Sequence, residues 1–213
     1  EGALSLDEDT WSRRRQVLGE DHPDTLWSAH AVAFDLCGLG QHKQALAIAE
    51  KTHEQRLRLF GADHPDTLWS GRLLSIVHSS SGKWRVACLL DEDCVSRHHR
   101  VSGPDHPLTL LAQQSLGVDL MVLGKLQDAS KWLERTQNSR CRVLGPDHPD
   151  TYWSAHALAA TLKSLGRNPE ASFLFRETRD QRTRVLGPGH FDTLAPLETD
   201  PSILRGNHLR HKR

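Results

Sequence analysis

The chain has 213 residues, 37% hydrophobic and 25% charged, with 27 basic and 27 acidic side chains. It is long enough to bury a sizeable core, and its formal charge of zero gives no global attraction to nucleic acid or to an anionic membrane. No run of 18 apolar residues occurs, so a transmembrane helix is excluded on length. The start, EGALSLDEDT, lacks Met and any basic-then-apolar signal pattern, and reads as a piece cut from a longer protein. Cys37, Cys88, Cys94 and Cys141 show neither CxxC spacing nor a place in any repeat. Unpaired thiols in a reducing, cytoplasmic compartment are therefore expected.

The chain opens on half of something. Residues Ala3 to Leu18 align with Ala45 to Phe60, and Gly19, Gly61, Gly103, Gly145 and Gly187 follow one another every 42 residues. A fixed period of this length marks a stacked architecture in which no unit can bury its apolar face alone. The expectation is one α-solenoid over 1–197: a partial repeat at 1–19, full repeats at 20–61, 62–103, 104–145 and 146–187, and a decayed helix at 188–197. Each full repeat holds two helix-length segments, A and B, split by Leu39-Gly40, Ser81-Gly82, Leu123-Gly124 or Leu165-Gly166. Residues 198–213 read as a basic, disordered tail.

The start of each helix A has a physical cause. Pro23, Pro65, Pro107 and Pro149 fit the first helical position, where a missing N–H costs nothing, and the Asp-His pair before each offers a capping acceptor. Asp24, Asp66 and Asp150 then place negative charge at the positive end of the helix. In helix B, Arg14, Arg56, Arg140 and Arg182 form a column near the C-terminal end and read as solvated residues that compensate the helix dipole.

Columns across repeats separate core from surface. Val32, Leu74, Leu116 and Leu158 form an apolar column in helix A, beside the small residues Ala33, Ser75, Gly117 and Ala159. Helix B supplies Leu6, Ile48, Leu90, Trp132 and Leu174, with Ala3, Ala45, Ala87, Ala129 and Ala171 three residues earlier. Two antiparallel helices per repeat, about 8 to 10 Å apart, make an all-α, right-handed solenoid of helix pairs. The column Leu36, Leu120 and Leu162 is broken by His78, so the end of helix A in the second full repeat is expected to be the weakest point.

The pattern LGxDHPDTLxS, a small-residue helix A, then LG and a helix B ending RxxVLG, resembles the 42-residue tetratricopeptide repeat of kinesin light chains. The strings DEDTWSRRRQVLGEDHPDTLWSAH and RVLGPDHPDTYWSAHALA are similar also to the repeat arrays of bacterial NB-ARC-type signalling ATPases. The resemblance covers roughly residues 3 to 195 and implies a scaffold that binds a peptide or protein segment in a concave groove, or a regulatory sensor array of a larger ATPase. Such arrays often carry an Asn pair in the middle of helix A. Here those positions hold His30-Ala31, Arg72-Leu73, Gln114-Ser115 and His156-Ala157, which removes an Asn clamp on a peptide backbone.

Helix A residues three and four apart that avoid the core columns share one face. They are Trp27, His30 and Phe34; Trp69, Arg72 and Ile76; Leu111, Gln114 and Val118; and Trp153, His156 and Ala160. The Trp column has two readings: a partner-binding surface, since Trp and Arg concentrate binding energy, or packing against the neighbouring helix A. No metal or cofactor is expected. Repeat stacking separates His22, His64, His106, His148 and His190 by roughly 10 Å, too far to share a metal held at about 2 Å. Gly82-Lys83-Trp84 and Gly124-Lys125-Leu126 are not phosphate loops, and no nucleophile motif occurs, so catalysis is not expected. The expected partner is a protein or peptide, not nucleic acid or membrane, with self-association through the incomplete terminal repeats as a further possibility.

Overall fold

Why each helix stops where it does is visible in the turn geometry. The computed structural model describes residues 2–189, and among them it contains nine α-helices: α1 (Gly2–Leu18), α2 (Pro23–Gly38), α3 (His42–Phe60), α4 (Pro65–Ser80), α5 (Trp84–Ser102), α6 (Pro107–Val122), α7 (Leu126–Val143), α8 (Pro149–Ser164) and α9 (Asn168–Leu186). The expected tail at 198–213 and nearly all of the decayed helix at 188–197 lie outside the described residues. Helix A corresponds to the even-numbered elements and helix B to the odd-numbered ones.

At the end of α2, the Gln41 N–H donates to the Leu36 carbonyl at 2.9 Å and the Gly40 N–H to that of Cys37 at 3.0 Å. This is a Schellman closure, which needs a left-handed residue, and Gly40 supplies it at φ +78°. The same pair of bonds closes α4, α6 and α8. At each helix A start the capping pair divides its work. Nδ1 of the His accepts from a backbone N–H: Asp24 onto His22 at 3.2 Å, Asp66 onto His64 at 3.2 Å, Leu108 onto His106 at 3.3 Å and Asp150 onto His148 at 3.1 Å. The preceding Asp instead receives an arginine of helix B: Arg58 on Asp21 at 2.7 Å, Arg142 on Asp105 at 2.6 Å and Arg184 on Asp147 at 2.7 Å. These pairs are exposed and each contributes less than about 1 kcal/mol.

The described chain divides into two compact units within α5, at Arg97 and His98. In the first, α2 packs against α1, α3 and α4, and α3 also packs against α4. Its core joins Val32, Ala33 and Leu36 of α2 to Ala45 and Ala49 of α3 and to Leu73, Leu74, Ile76 and Val77 of α4. In the second, α6 packs on α7 and α8, α7 on α8, and α8 on α9. Val118, Leu133, Leu158, Leu162 and Ala171 form its core.

The small-residue columns are the most deeply buried parts of both units. Ala33, Ala45, Ala87, Ala129 and Ala159 are fully enclosed, whereas Ile48, Leu90, Trp132 and Leu174 are half-buried and Leu6 is exposed. Helix B therefore meets helix A through its alanines, and its larger residues flank the contact. Gly117 shows how close the approach is, since a Cβ there would sit 2.7 Å from Cγ of the fully buried Leu133. Gly117→Ala is expected to destabilise by about 1–2 kcal/mol through overpacking, measured by urea unfolding.

The flawed column produces a defect without ending the helix. The chain stays helical through Ser80, with the Lys83 N–H donating to the His78 carbonyl at 2.8 Å. The His78 ring, however, buries Nδ1 without a hydrogen-bond partner. Burial, with Lys83 nearby, pushes its pKa down. Restoring the apolar column with His78→Leu is expected to raise stability by about 1 kcal/mol and to slow amide exchange at the end of α4; unchanged exchange there would remove His78 as the weak point.

Candidate functional site

The twelve residues expected on one helix A face do not share one environment. In the first unit Trp27 is 39% exposed and Trp69, His30, Phe34 and Arg72 are half-buried. Ile76, by contrast, is only 1% exposed and belongs to the core. In the second unit Leu111 and Trp153 are half-buried, but Gln114, Val118, His156 and Ala160 are buried. The expectation of a groove surface is thus corrected at Ile76, Gln114, Val118, His156 and Ala160. The reason is local: residues Ala112 to Leu120 of α6 and Ser154 to Leu162 of α8 are buried without a break. A helix covered all round has no free stripe beyond its first turns.

What holds the tryptophans is the arginine column, and here the solvated reading is corrected. Arg56 is 0% exposed, Arg140 2% and Arg182 3%. Nη1 of Arg56 donates to the carbonyl oxygen of Asp66 at 3.0 Å, and Nη1 of Arg140 to that of Asp150 at 2.8 Å. Arg14 repeats the contact with the Asp24 carbonyl at 3.1 Å and adds Ser28 Oγ at 2.8 Å. Each of these arginines ties a helix B to the first turn of the next helix A. The same guanidinium faces an indole of its own repeat, Arg56 at 4.8 Å from the Trp27 ring centre and Arg182 at 5.3 Å from that of Trp153. Where the Trp column holds Leu111, Arg140 donates to Gln114 Oε1 instead. At Trp69 the cation comes from Arg72, 5.7 Å from the ring centre. The fifth place in the arginine column is His98, also buried.

This arrangement sets the electrostatics of the site. Burial lowers the pKa of Arg56 against the opposing pull of Asp66, and that of Arg140 to about 10 against Asp150. His30 lies edge-on to Trp27 at 5.5 Å. Burial, and then the charges of Arg56 and Arg72, push its pKa down to about 3, so the ring is neutral at physiological pH. His156, at the same place in its repeat, stacks on Trp153 at 6.3 Å and meets Phe175 edge-on at 5.5 Å. The surface is therefore aromatic rings backed by buried cations. The signal for it in the sequence is partial: Arg56 and Arg182 stand in register with Trp27 and Trp153, as a stacked and forked contact requires, whereas Arg140 is in register with Leu111 and His98 with Trp69.

The described residues contain no group of three His, Cys, Asp or Glu side chains placed to hold a metal, and no described helix is long and apolar enough to cross a membrane. The thiols are buried at Cys37, Cys88 and Cys94 and half-buried at Cys141. Burial, with Asp91 and Asp93 nearby, pushes Cys94 up to about 12.

Comparison with known proteins agrees with this architecture. A tetratricopeptide repeat family model matches residues 30–95 and 115–184, more than half of the chain, and a second model of the same description matches residues 1–24. No curated protein matches. Among solved structures, the chain is similar to a Podosopora anserina putative kinesin light chain with nearly identical TPR-like repeats, in two crystal structures. One, of a variant, gives a TM-score of 0.73 at 25% identity over 86% of each chain; the other gives 0.70 at 25% identity, covering 85% of this chain and 86% of that one. BtubC (BKLC) from P. vanneervenii shares the fold at a TM-score of 0.74 and 17% identity, covering 87% of this chain and 74% of that one. With its period, its capped helix pairs and these matches, the chain belongs to the tetratricopeptide repeat family.

Proposed function

We propose that the chain is a protein-interaction scaffold whose helix A face engages a peptide or protein segment. The residues that make contact are Trp27, His30, Phe34, Trp69 and Arg72 in the first unit, and Leu111 and Trp153 in the second. Repeat arrays of this kind serve in general as interaction scaffolds. The observation that carries the reading is Trp27: a large aromatic ring 39% exposed to solvent while a buried guanidinium lies 4.8 Å from its centre. A ring fixed in this way loses little freedom when a partner covers it, and such anchors concentrate binding energy.

The test uses a peptide selected from a random library on the immobilised chain. It is expected to bind saturably, and Trp69→Ala with Arg72→Ala is expected to weaken it at least tenfold while the helical circular dichroism is unchanged. Unchanged affinity in a folded double variant would place the binding surface elsewhere. A chain that selects no peptide at all would favour an array acting only on an attached domain.

A further inference from the structure

A second surface lies on α7, on the side turned away from its packing partners. Ala129, Leu133, Thr136 and Arg140 bury one face of that helix, whereas Lys131, Arg135, Asn138 and Arg142 lie on the opposite, exposed face. These four follow one another at spacings of four, three and four residues. They therefore form one stripe about 16 Å long. With Pro104 and Asp105 of the α5–α6 loop they line an open groove of about 580 Å³.

The stripe consists of three cations and an amide, with no carboxylate. At the same register every other helix B holds an acid: Asp9 in α1, Glu54 in α3, Asp93 in α5, and Glu177 and Asp180 in α9. The carboxylates that border the α7 groove are already engaged. Asp105 meets Arg142 at 2.6 Å, Asp128 meets Lys131 at 3.2 Å and Glu134 meets Arg167 at 3.6 Å. Arg135 is exposed and has no such partner among the described residues. Exposed ion pairs of this kind are weak, so an incoming carboxylate can displace them. The chain as a whole is neutral, and the excess of positive charge is local to this helix.

We propose that the α7 groove docks an acidic segment of a partner protein, with Arg135 forking one carboxylate and Lys131 and Arg142 each taking another. No aromatic side chain lines the groove to stack a base, which favours a polypeptide over a nucleic acid. The surface belongs to helix B and does not depend on the helix A face.

A fluorescent octaglutamate peptide is titrated into the full chain at low and at physiological ionic strength, with anisotropy as the readout. It is expected to bind saturably, and to weaken as salt screens the contact. Lys131→Gln with Arg135→Gln should lower the affinity about 3- to 30-fold. Both side chains are exposed, so the helical circular dichroism should stay unchanged. If the double variant loses helicity, Arg135→Glu alone carries the same expectation. Arg58→Gln, at the register of Arg142 on α3, should leave binding unchanged, as should deletion of the basic residues within 205–213. Absence of saturable binding, unchanged affinity in the folded α7 variant, an equal loss in Arg58→Gln, or loss on deleting 205–213 would overturn the proposal. So would competition by a single-stranded DNA oligonucleotide at lower concentration than by unlabelled octaglutamate, which would assign the groove to nucleic acid.

Discussion

Truncating Arg140 to alanine is expected to destabilise the chain by about 2–4 kcal/mol, from the cavity left between α7 and α8 and from the unmet acceptors. Two acceptors lose their donor, Gln114 Oε1 and the Asp150 carbonyl. The charge itself contributes in the other direction. Burial holds the folded pKa of Arg140 to about 10 against an ordinary 12.5. For a base, a lowered folded pKa means that the charged form opposes folding. The penalty is fully present at neutral pH and is relieved only as pH climbs through 10 towards 12.5. It amounts to about 3 kcal/mol at 1.36 kcal/mol per unit. Arg140→Met, similar in reach and uncharged, is therefore expected to lie within about 1 kcal/mol of the wild type or above it, as replacements of buried charges often do. Urea unfolding of the two variants checks this. Equal and large losses in both would show that the guanidinium charge stabilises the joint.

Acidification is expected to destabilise the first unit through His30. Its folded pKa of about 3 lies below the ordinary value of 6.5. The unfolded chain therefore takes up the proton first, and stability present above pH 6.5 is lost as pH falls towards 3. Linkage gives a loss of about 2 kcal/mol by pH 5 and about 4 kcal/mol by pH 3.5 from this one ring. The groups that act on it are Arg56 of α3 and Arg72 of α4, both positive, so no carboxylate offsets the loss. His30→Gln is expected to flatten the pH dependence between 7 and 5. His53 and His78, also held low by burial, set the slope that remains. A variant that loses stability as steeply as the wild type would exclude His30 as the acid-sensitive group.

Helix boundaries were legible because each depends on one or two residues at a fixed place, such as Gly40 closing α2 and His22 capping it. The buried columns were legible too, since Val32, Leu74, Leu116 and Leu158 repeat at the same register. The arginines were not, because dipole compensation and stacking ask for the same charge at the same helix end. Only the position of the guanidinium against Trp27, Trp153 and the next helix A decides between them. The candidate face failed beyond its first turns for a related reason. Gln114 and His156 are polar at positions that looked open, but α6 and α8 are enclosed along their length and those side chains meet Arg140 and Phe175 inside. A helical wheel gives a direction for a side chain and does not say what stands there.

The most direct test of the binding face is to follow the six tryptophan indole N–H signals by NMR while a library-selected peptide is added. The account predicts that Trp27 and Trp69 shift and broaden together with the Arg72 side chain, while Trp84 and Trp132 of the helix B elements stay in place. Shifts confined to Trp84 and Trp132, with Trp27 and Trp69 unmoved, would contradict it.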